Sequence, residues 1–258
     1  MTLDSVSKSS IWVVTGANRG IGLGLVKELV ARPSTTVIAT VRNDEAAASL
    51  SAETIAPGKQ SSLHIIQLDF STAIAPEVIR EKLVAAAPSV DHIDVLVNNA
   101  GFSTRMKPAV ETTADELRSC FEVNTIAPLL VFQALWPLLQ KAPSSPKYIS
   151  VSSSVGSISR QEPFPGGAYG PSKAANNWIT KALHLQHADD GLIAIALQPG
   201  WVQTDMGNTA ARDWNYAPGP PETVDNSVRG ILKIIDGATR ETASGKFLSY
   251  TGDMEVPW

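Results

Sequence analysis

Tyr169 and Lys173 are the residues whose types and spacing most directly suggest chemistry. They lie four positions apart in a segment that reads as the start of a helix, so their side chains would share one helix face. A phenol with a pKa near 10 is a poor acid at neutral pH, and a nearby ammonium favours its ionised form. Lowering that pKa by about 3 units corresponds to roughly 4 kcal/mol of charge stabilisation. Such a phenol could protonate a carbonyl oxygen as a hydride arrives, or accept a proton in the reverse reaction.

Neighbouring polar residues decide what this pair means, because Tyr-x-x-x-Lys is also common as an exposed helix pair. Three serines, residues 152–154, end one predicted strand, and Asn98 ends another. Residues 199–204 follow a third strand, and Asn124 lies in a long predicted helix, where a buried amide needs a hydrogen-bond partner. Ligands of open α/β sheets bind beyond the carboxyl ends of the strands, so these residues are expected to share one site.

A glycine-rich turn, residues 15–22, joins the first predicted strand to the first helix. Gly16, Gly20 and Gly22 would let the backbone turn tightly and approach a pyrophosphate, whose charge a helix N-terminus favours. The spacing is G-x-x-x-G-x-G rather than G-x-G-x-x-G, and no Gly-Lys-Ser/Thr follows, so the turn is not a P-loop. The alternative is a turn that only packs a helix on a strand.

The end of the second predicted strand bears on which dinucleotide would bind. An acid about 20 residues beyond the glycines usually marks an NAD site. This strand instead ends in Val41 and Arg42, and Arg42 could pair with a 2′-phosphate that Arg19 could also reach. Two solvated arginines are the alternative. The sequence predicts a preference for NADPH over NADH.

Strands and helices alternate along the chain. Apolar runs over 11–15, 35–41, 63–68, 93–97, 148–152, 192–197 and 246–250 predict seven strands. Helical periodicity predicts helices over 21–31, 44–56, 76–87 and 114–141, and another from Tyr169. Strands that are apolar throughout suit a sheet covered on both faces. The expected fold is α/β: a Rossmann-type, doubly wound, seven-stranded and mostly parallel sheet in a single domain.

Composition excludes several classes of protein. The chain has 258 residues, of which 43% are hydrophobic and 18% charged, and this ordinary globular usage excludes disorder and fibrous repeats. A net charge of −4 with scattered basic residues argues against nucleic-acid binding. A single cysteine, Cys120, excludes an internal disulfide, and the opening residues lack a secretory apolar run. Residues 127–139 are too short to cross a bilayer. A cytoplasmic location, without membrane insertion, is expected.

Residues 1–10 read as a flexible tail and residues 11–258 as one dinucleotide-binding and catalytic domain. Within it, residues 157–167 are expected to form a loop over the cleft and residues 205–223 a substrate lid. Four aromatic residues in or near these segments suggest an apolar substrate pocket, although they could equally pack only the lid: Phe164, Trp201, Trp214 and Tyr216. His184 and His187 have no third ligand, so no metal site is expected.

Six motifs together resemble the short-chain dehydrogenase/reductase family, in its compact single-domain branch. TGANRGIG, NNAG, VNT, the serine cluster, YGPSK and PGWVQT occur in that family's order and span almost the whole chain. The stretches PGWVQTDMG and GKFLSYTGDMEVPW are similar to sniffer-type carbonyl reductases, a subgroup that includes fungal enzymes like norsolorinic acid ketoreductase.

The resemblance implies catalytic roles. Tyr169 would be the general acid/base, and Lys173 would lower its pKa and hold the nicotinamide ribose. Ser153, three residues before Gly156, would bind the substrate oxygen, with Ser152 and Ser154 as weaker candidates. Asn124 would hold a water that links Lys173 to solvent.

The resemblance also implies a cofactor site. Gly16, Gly20, Ile21 and Gly22 would line the pyrophosphate, Asp69 the adenine and Asn98 the adenosine ribose. Val202 and Thr204 would meet the carboxamide. The expected cofactor site also includes Asn18, Arg19, Arg42, Ala100, Gly101, Tyr169, Lys173 and Pro199.

One departure from the family concerns the serine. Ser153 and Tyr169 are 16 positions apart, which is longer than the family's usual spacing. The extra residues fall within 157–167, and the identity of the catalytic serine therefore stays open between Ser153 and its neighbours.

The function implied is NADPH-dependent reduction of a hydrophobic ketone or aldehyde, with aromatic or polyketide-derived ketones of secondary metabolism as the narrower expectation. Two alternatives remain. One is a relative that uses the same site for dehydration, isomerisation or cyclisation, and the other is a dinucleotide sensor. The Tyr169/Lys173 pair argues against a sensor, which needs neither residue. The helices that start at Ala114 and Tyr169 resemble those through which the family associates, so a homodimer or homotetramer is expected.

Overall fold

The computed structural model of the chain describes residues 9–258. Residues 1–8, most of the tail expected over 1–10, lie outside the described residues. Ser10, at the end of that expected tail, already belongs to the first strand.

Seven strands form one sheet, as the sequence predicts. They are β1 Ser10–Thr15, β2 Thr35–Val41, β3 Ser62–Gln67, β4 Val95–Asn98, β5 Lys147–Val151, β6 Ile193–Gln198 and β7 Phe247–Ser249. Their order in the sheet is β3-β2-β1-β4-β5-β6-β7. Every pairing between these strands is parallel, so the expected mostly parallel, doubly wound Rossmann-type sheet is confirmed.

Within residues 9–258, eight α-helices connect the strands. They are α1 Gly20–Ala31, α2 Asp44–Ser51, α3 Pro76–Ala86, α4 Ala114–Phe121, α5 Ala127–Leu139, α6 Tyr169–Gln186, α7 Asp205–Asp213 and α8 Val224–Gly237. A π-helical turn, Glu122–Ile126, joins α4 to α5, and short 3-10 turns lie at Ala109–Glu111 and Ser154–Gly156.

The sheet is buried on both faces because its strands are apolar throughout. Along β1, Trp12 and Val14 enter a core with α1 and α8, whereas Ile11 and Val13 enter a second core with α3 and α5. This alternation is the period-two pattern of a strand covered on two sides. The order of the strands reverses between β1 and β4, and a doubly wound sheet binds its ligands at that point.

Several expected boundaries differ from the structure. α2 ends at Ser51 rather than at residue 56. The predicted helix over 114–141 is interrupted by the π turn that contains Asn124. Pro128 has no N–H, so it cannot donate the α-helical hydrogen bond to the Asn124 carbonyl, which disfavours regular α-helix at this point.

The helical stretch Ala114–Leu139 is the one described segment long and apolar enough to cross a membrane by length and composition. Its α5 part packs against α3 and against β4 and β5, and it contributes Val131, Phe132 and Leu135 to the core. Core packing therefore accounts for its apolar character.

The expected lid, residues 205–223, is partly regular structure. Its first half is α7, although the sequence there is rich in small and turn residues. Thr204 caps the helix by accepting a hydrogen bond from the Gly207 N–H, and Asp205 lies in the positively polarised first turn. Asn215 follows with a positive φ of 51°, and the rest of the segment is irregular.

Candidate active site

A cavity of about 1640 Å³ opens at the carboxyl ends of the strands. Its lining combines the glycine-rich turn, the ends of β2, β4, β5 and β6, the start of α6, and the segment 199–207. The volume exceeds the roughly 300–1,000 Å³ of sites for drug-sized ligands, so a dinucleotide and a second molecule fit together.

Tyr169 and Ser153 meet in this cleft. Tyr169 is the first residue of α6 and only 8% exposed, and the side chain of Ser153 lines the same cavity. Lys173 lies one turn further along the same helix face, with Nζ 5.6 Å from the centroid of the Tyr169 ring. Its ammonium donates to the Val151 carbonyl over 2.8 Å, which anchors α6 to the end of β5.

Burial disfavours the charged forms of both groups and shifts their pKa values accordingly. It raises the pKa of Tyr169 to about 12, although the nearby Ser153 hydroxyl acts in the opposite direction. It lowers the pKa of Lys173 to about 8. The expected lowering of the Tyr169 pKa is therefore absent from this structure, because removing the phenolate from water outweighs its stabilisation.

The structure separates the three candidate serines. Ser152 is buried and donates to Asn177 Oδ1 over 2.5 Å. Ser154 begins the short 3-10 turn. Ser153 caps that turn, accepting from the Val155 N–H, and it is the serine whose hydroxyl acts to lower the pKa of Tyr169.

Asn124 lies near Lys173 but does not line the cleft. Its Nδ2 donates to the Phe102 carbonyl over 2.7 Å and to Ser172 Oγ over 2.9 Å, and its Oδ1 accepts from the Phe102 N–H. These bonds hold the segment that follows β4 against α6. The water expected to link Lys173 to solvent would therefore hydrogen-bond to the backbone of the π turn and not to the Asn124 side chain.

The glycine-rich turn fits a pyrophosphate. Gly16 and Gly20 have positive φ values of 67° and 54°, which side-chain-bearing residues rarely adopt. A Cβ on Gly22 would lie 2.1 Å from the Gly16 carbonyl oxygen, so Gly22 serves the packing of the turn. α1 has no side-chain cap at Arg19 and no acid in its first turn, which leaves its N–H groups available to an anion. Asn18 and Ile21 complete the cleft wall here.

The adenosine end of the cleft contains Arg42 and Asp69. Hydrogen bonds from Ser71 and, to a smaller extent, the charge of Arg42 lower the pKa of Asp69. Arg42 lines the cavity and, among residues 9–258, has no ion-pair partner within 4.0 Å. Arg19 instead pairs with Asp205 over 3.0 Å at the surface. The Thr40 hydroxyl, buried in the same wall, has no partner.

Asn98 differs from its expected role at the adenosine ribose. It is buried beneath the cleft, where Nδ2 donates to the Pro128 carbonyl. Its position in β4 turns it toward the α5 core, whereas Asn99, the next residue, lines the cleft and donates to the Thr15 and Gly16 carbonyls. A motif with two adjacent asparagines does not reveal which one faces a ligand.

The remaining expected cofactor residues do border the cavity: Ala100, Gly101, Pro199, Val202 and Thr204. The Gly101 backbone runs between Asn124 and Lys173, since a Cβ there would lie 3.6 Å from Asn124 Oδ1 and 3.8 Å from Lys173 Nζ. The residues present thus fit a nicotinamide dinucleotide.

The four aromatic residues form one continuous row along the cleft. Ring centroids are 5.3 Å apart for Phe164–Trp214, 5.4 Å for Trp201–Trp214 and 5.1 Å for Trp201–Tyr216. The row joins the expected cleft loop to the lid, and all four rings line the cavity. Their substrate contact remains a prediction.

Two groups near the site were not found from the sequence. Met106 lines the cleft and packs with Tyr169 and Ala210, and Asp213 binds the Met106 backbone. Met106 lies in an irregular loop and Asp213 at the end of α7, so neither belongs to a periodic pattern and only the fold reveals their contact. Among the described residues, no three potential metal ligands cluster, and His184 bonds Ser244.

Comparisons with known proteins agree with this geometry. The short chain dehydrogenase family profile matches residues 10–215. Norsolorinic acid ketoreductase of Aspergillus parasiticus is 36% identical over 263 residues, which cover 99% of this chain and 93% of that protein.

Two solved structures have a similar fold. NADPH-bound carbonyl reductase from chicken fatty liver matches with a TM-score of 0.79 and 31% identity, over 97% of this chain and 100% of that one. Carbonyl reductase Sniffer of D. melanogaster matches with a TM-score of 0.80 and 28% identity, over 97% and 100%. The resemblance carried by the six motifs is confirmed: the chain belongs to the short-chain dehydrogenase/reductase family and is an oxidoreductase that binds NADP.

Proposed function

We propose that the protein is an NADPH-dependent carbonyl reductase that converts a hydrophobic ketone or aldehyde to an alcohol, with Tyr169 as general acid. The observation that carries the proposal is that Tyr169, Ser153, Lys173 and the glycine-rich turn line one cleft, with Lys173 Nζ 5.6 Å from the centroid of the Tyr169 ring. Bound NADPH supplies the hydride that adds to the carbonyl carbon.

The chain's own residues manage the oxygen and its proton. A substrate oxygen between Ser153 and Tyr169 accepts a hydrogen bond from the serine and the proton from the phenol. A raised pKa keeps the phenol protonated at neutral pH, which suits a proton donor in the reductive direction. Lys173, beside the phenol, stabilises the phenolate that forms.

The preference for NADPH over NADH rests on Arg42. Its guanidinium borders the adenosine end of the cleft without an ion-pair partner among the described residues, so it is available to a 2′-phosphate. Arg19 is a second candidate that would first have to leave Asp205.

The substrate class rests on the aromatic row. Phe164, Trp201, Trp214 and Tyr216 offer flat apolar surfaces next to Tyr169, and such surfaces stack favourably on aromatic rings. Similarity to norsolorinic acid ketoreductase supports an aromatic, polyketide-derived ketone of secondary metabolism.

Three further expectations belong to this proposal. Residues 11–258 act as one domain in which 157–167 and 205–223 frame the substrate. The protein is cytoplasmic, in keeping with a free buried Cys120. It assembles as a homodimer or homotetramer through helices α4, α5 and α6.

The test is the loss of NADPH absorbance with a panel of aromatic and aliphatic ketones, quinones and aldehydes. Wild-type turnover with one NADPH consumed per alcohol formed is expected. Tyr169→Phe should lower kcat by about 10²–10⁴-fold because it removes the general acid, while the variant still binds NADPH through the rest of the cofactor site. Product without NADPH consumption would instead favour an isomerase, dehydratase or cyclase, and absent NADPH binding would refute the proposal.

A further inference from the structure

Three segments of the chain that border the substrate end of the cleft meet at Asp213 and Trp214. These segments are residues 102–107 after β4, the loop 157–167 after β5, and the lid 205–223 after β6. Asp213 and Trp214 belong to the lid, at the point where α7 ends.

Asp213 connects the lid to residues 102–107. Its Oδ2 accepts from the Met106 N–H over 2.7 Å, and its Oδ1 accepts from Arg105 Nε over 3.2 Å. The Asp213 side chain is 9% exposed, whereas that of Arg105 is 79% exposed. The buried bond to the Met106 backbone is therefore the stronger constraint, because solvent screens the ion pair.

The location of this carboxylate is unfavourable for α7 itself. Asp213 is the last residue of the helix, where the negative end of the macrodipole repels an acid. A nearly buried acid at such a position is explained by the two bonds that it makes outside the helix.

Trp214 connects the lid to the loop 157–167. Its indole Nε1 donates to the Pro165 carbonyl over 3.0 Å, and its ring stacks on Phe164 with centroids 5.3 Å apart. The same loop also contacts residues 102–107 directly, since the Gly167 N–H donates to the Lys107 carbonyl over 3.2 Å. A Cβ on Gly167 would lie 2.6 Å from the Arg105 carbonyl oxygen, so this approach is close.

Met106 connects Asp213 to Tyr169. It is 6% exposed and packs with Tyr169, Ala210 and Trp214 beneath the lid. A shift of the Met106 backbone would change the packing against Trp214, and with it the position of the aromatic row relative to Tyr169.

We propose that Asp213 is a positioning residue that sets substrate specificity by fixing Met106 against Tyr169 and Trp214. This inference rests on the proposed carbonyl reductase function, and it concerns large flat substrates that extend from Tyr169 onto the aromatic row. A small aldehyde contacts the reacting groups without spanning the cleft and is insensitive to the position of Met106.

The test compares Asp213→Ala, which removes both bonds, with Asp213→Asn, which keeps an acceptor for the Met106 N–H. Arg105→Ala is the matched control, because it removes only the exposed partner. Phenanthrenequinone serves as the large flat substrate and butanal as the small one. Asp213→Ala should raise KM for phenanthrenequinone about tenfold and leave KM for butanal and both kcat values within about twofold.

Asp213→Asn and Arg105→Ala should both stay close to the wild type. Equal effects of Asp213→Ala on the two substrates, or a loss of kcat without a change in KM, would overturn the inference. If Asp213→Ala does not fold, Met106→Ala replaces it: shortening this wall should cause the same selective rise in KM, and an unchanged KM would overturn the inference.

Hydrogen exchange of the peptide that contains Met106 separates the two proposals. The Met106 amide should be protected in the wild type and in Asp213→Asn, and should exchange faster in Asp213→Ala. A wild type that reduces no substrate refutes the proposed function and leaves this exchange result standing. If the wild type reduces substrate but its Met106 amide is unprotected, the role of Asp213 is refuted and the proposed function stands.

Discussion

At the scale of single residues, the site depends on two buried groups whose ionised forms are disfavoured. Tyr169 at a pKa of about 12 is a protonated phenol at neutral pH. Lys173 at a pKa of about 8 is still largely protonated there, but its burial is costly. Function therefore places a destabilising charge where the fold alone would prefer an apolar side chain.

Lys173→Met is accordingly expected to stabilise the protein without cofactor. Lowering a lysine pKa from 10.5 to about 8 means that burying the charged side chain costs about 3 kcal/mol of folding stability at neutral pH, and methionine removes this cost. Loss of the hydrogen bond to Val151 destabilises the variant by about 1 kcal/mol. The net gain of about 2 kcal/mol would raise Tm by roughly 4–8 °C, as measured by thermal unfolding at pH 7.

The pH dependence of this gain is a second check. Below pH 8 the lysine is charged in both the folded and unfolded chains, so the folded wild type bears the full cost of burial. From about pH 8 to 10.5 the unfolded chain binds more protons, and the wild type gains stability until the lysine is neutral in both states. The Tm difference should therefore shrink over this interval. A variant less stable than the wild type at pH 7, or a difference independent of pH, would contradict the argument.

Arg42 determines the expected choice between the two dinucleotides. A charge-assisted hydrogen bond contributes about 1.5–3 kcal/mol, so Arg42→Asp should reduce the ratio of NADPH to NADH efficiency at least about tenfold. Steady-state kinetics with both cofactors measures this ratio. Arg229→Asp, on the exposed surface of α8 away from the cleft, is the control with the same change of charge. An unchanged ratio in Arg42→Asp would remove Arg42 from the 2′-phosphate site.

At the scale of elements, periodicity predicts what repeats and misses what depends on single contacts. β2 matches its predicted bounds, and the other strands are shifted by only one or two residues, because apolar runs of strand length mark a doubly covered sheet. The π turn at Asn124 interrupts a continuous helical pattern, and it precedes Pro128, which has no N–H to donate to the Asn124 carbonyl. The sequence predicts a substrate lid over 205–223 but no helix within it, since small residues conceal the helix α7 that Thr204 caps.

The residues of the site likewise divide into those that motifs predict and those whose roles depend on single tertiary contacts. Motif order brings Tyr169, Lys173 and Ser153 to one cleft, since each follows a strand or begins a helix at the same sheet edge. The orientation of Asn98 and the acceptor role of Asp213 depend on which way one side chain turns in the folded chain. That information is tertiary and has no counterpart in spacing or composition.

Two glycines, Gly207 in α7 and Gly237 in α8, test how tightly α7 packs on the segment around Val202. A Cβ on Gly207 would lie 2.0 Å from the Val202 carbonyl oxygen, whereas a Cβ on Gly237 at the end of α8 meets no atom within 4 Å. Gly207→Ala should therefore push α7 away from Val202, lower stability by about 1–3 kcal/mol and raise KM for NADPH.

Gly237→Ala should retain wild-type kinetics and gain up to about 1 kcal/mol, because alanine is the better helix former. Denaturant unfolding and NADPH saturation curves measure both effects. If Gly207→Ala behaved like Gly237→Ala, α7 would not be tightly packed on the segment expected to meet the carboxamide.

At the scale of the whole molecule, the cleft lies where the sheet order reverses, and one core packs on each face of the sheet. The catalytic helix α6 belongs to one layer and turns one side toward the cleft. Its other side exposes Trp178, at 71%, and Leu185, at 63%, seven residues apart and therefore on one helix face. Exposed apolar residues of this size on one face mark an interaction surface, and α6 is among the helices through which we propose that the chain assembles.

Trp178→Glu should consequently weaken assembly of the homodimer or homotetramer. A glutamate in the interface would lose its hydration without gaining a partner, and the indole that a partner chain would cover is removed. Light scattering coupled to size-exclusion chromatography should give a multiple of the 27.4 kDa chain mass for the wild type and a lower mass for the variant. Val84→Glu, on the partly exposed surface of α3, introduces the same charge outside this face and should leave the mass unchanged. A monomeric wild type at micromolar concentration, or an unaltered mass in Trp178→Glu, would show that this face of α6 does not join chains.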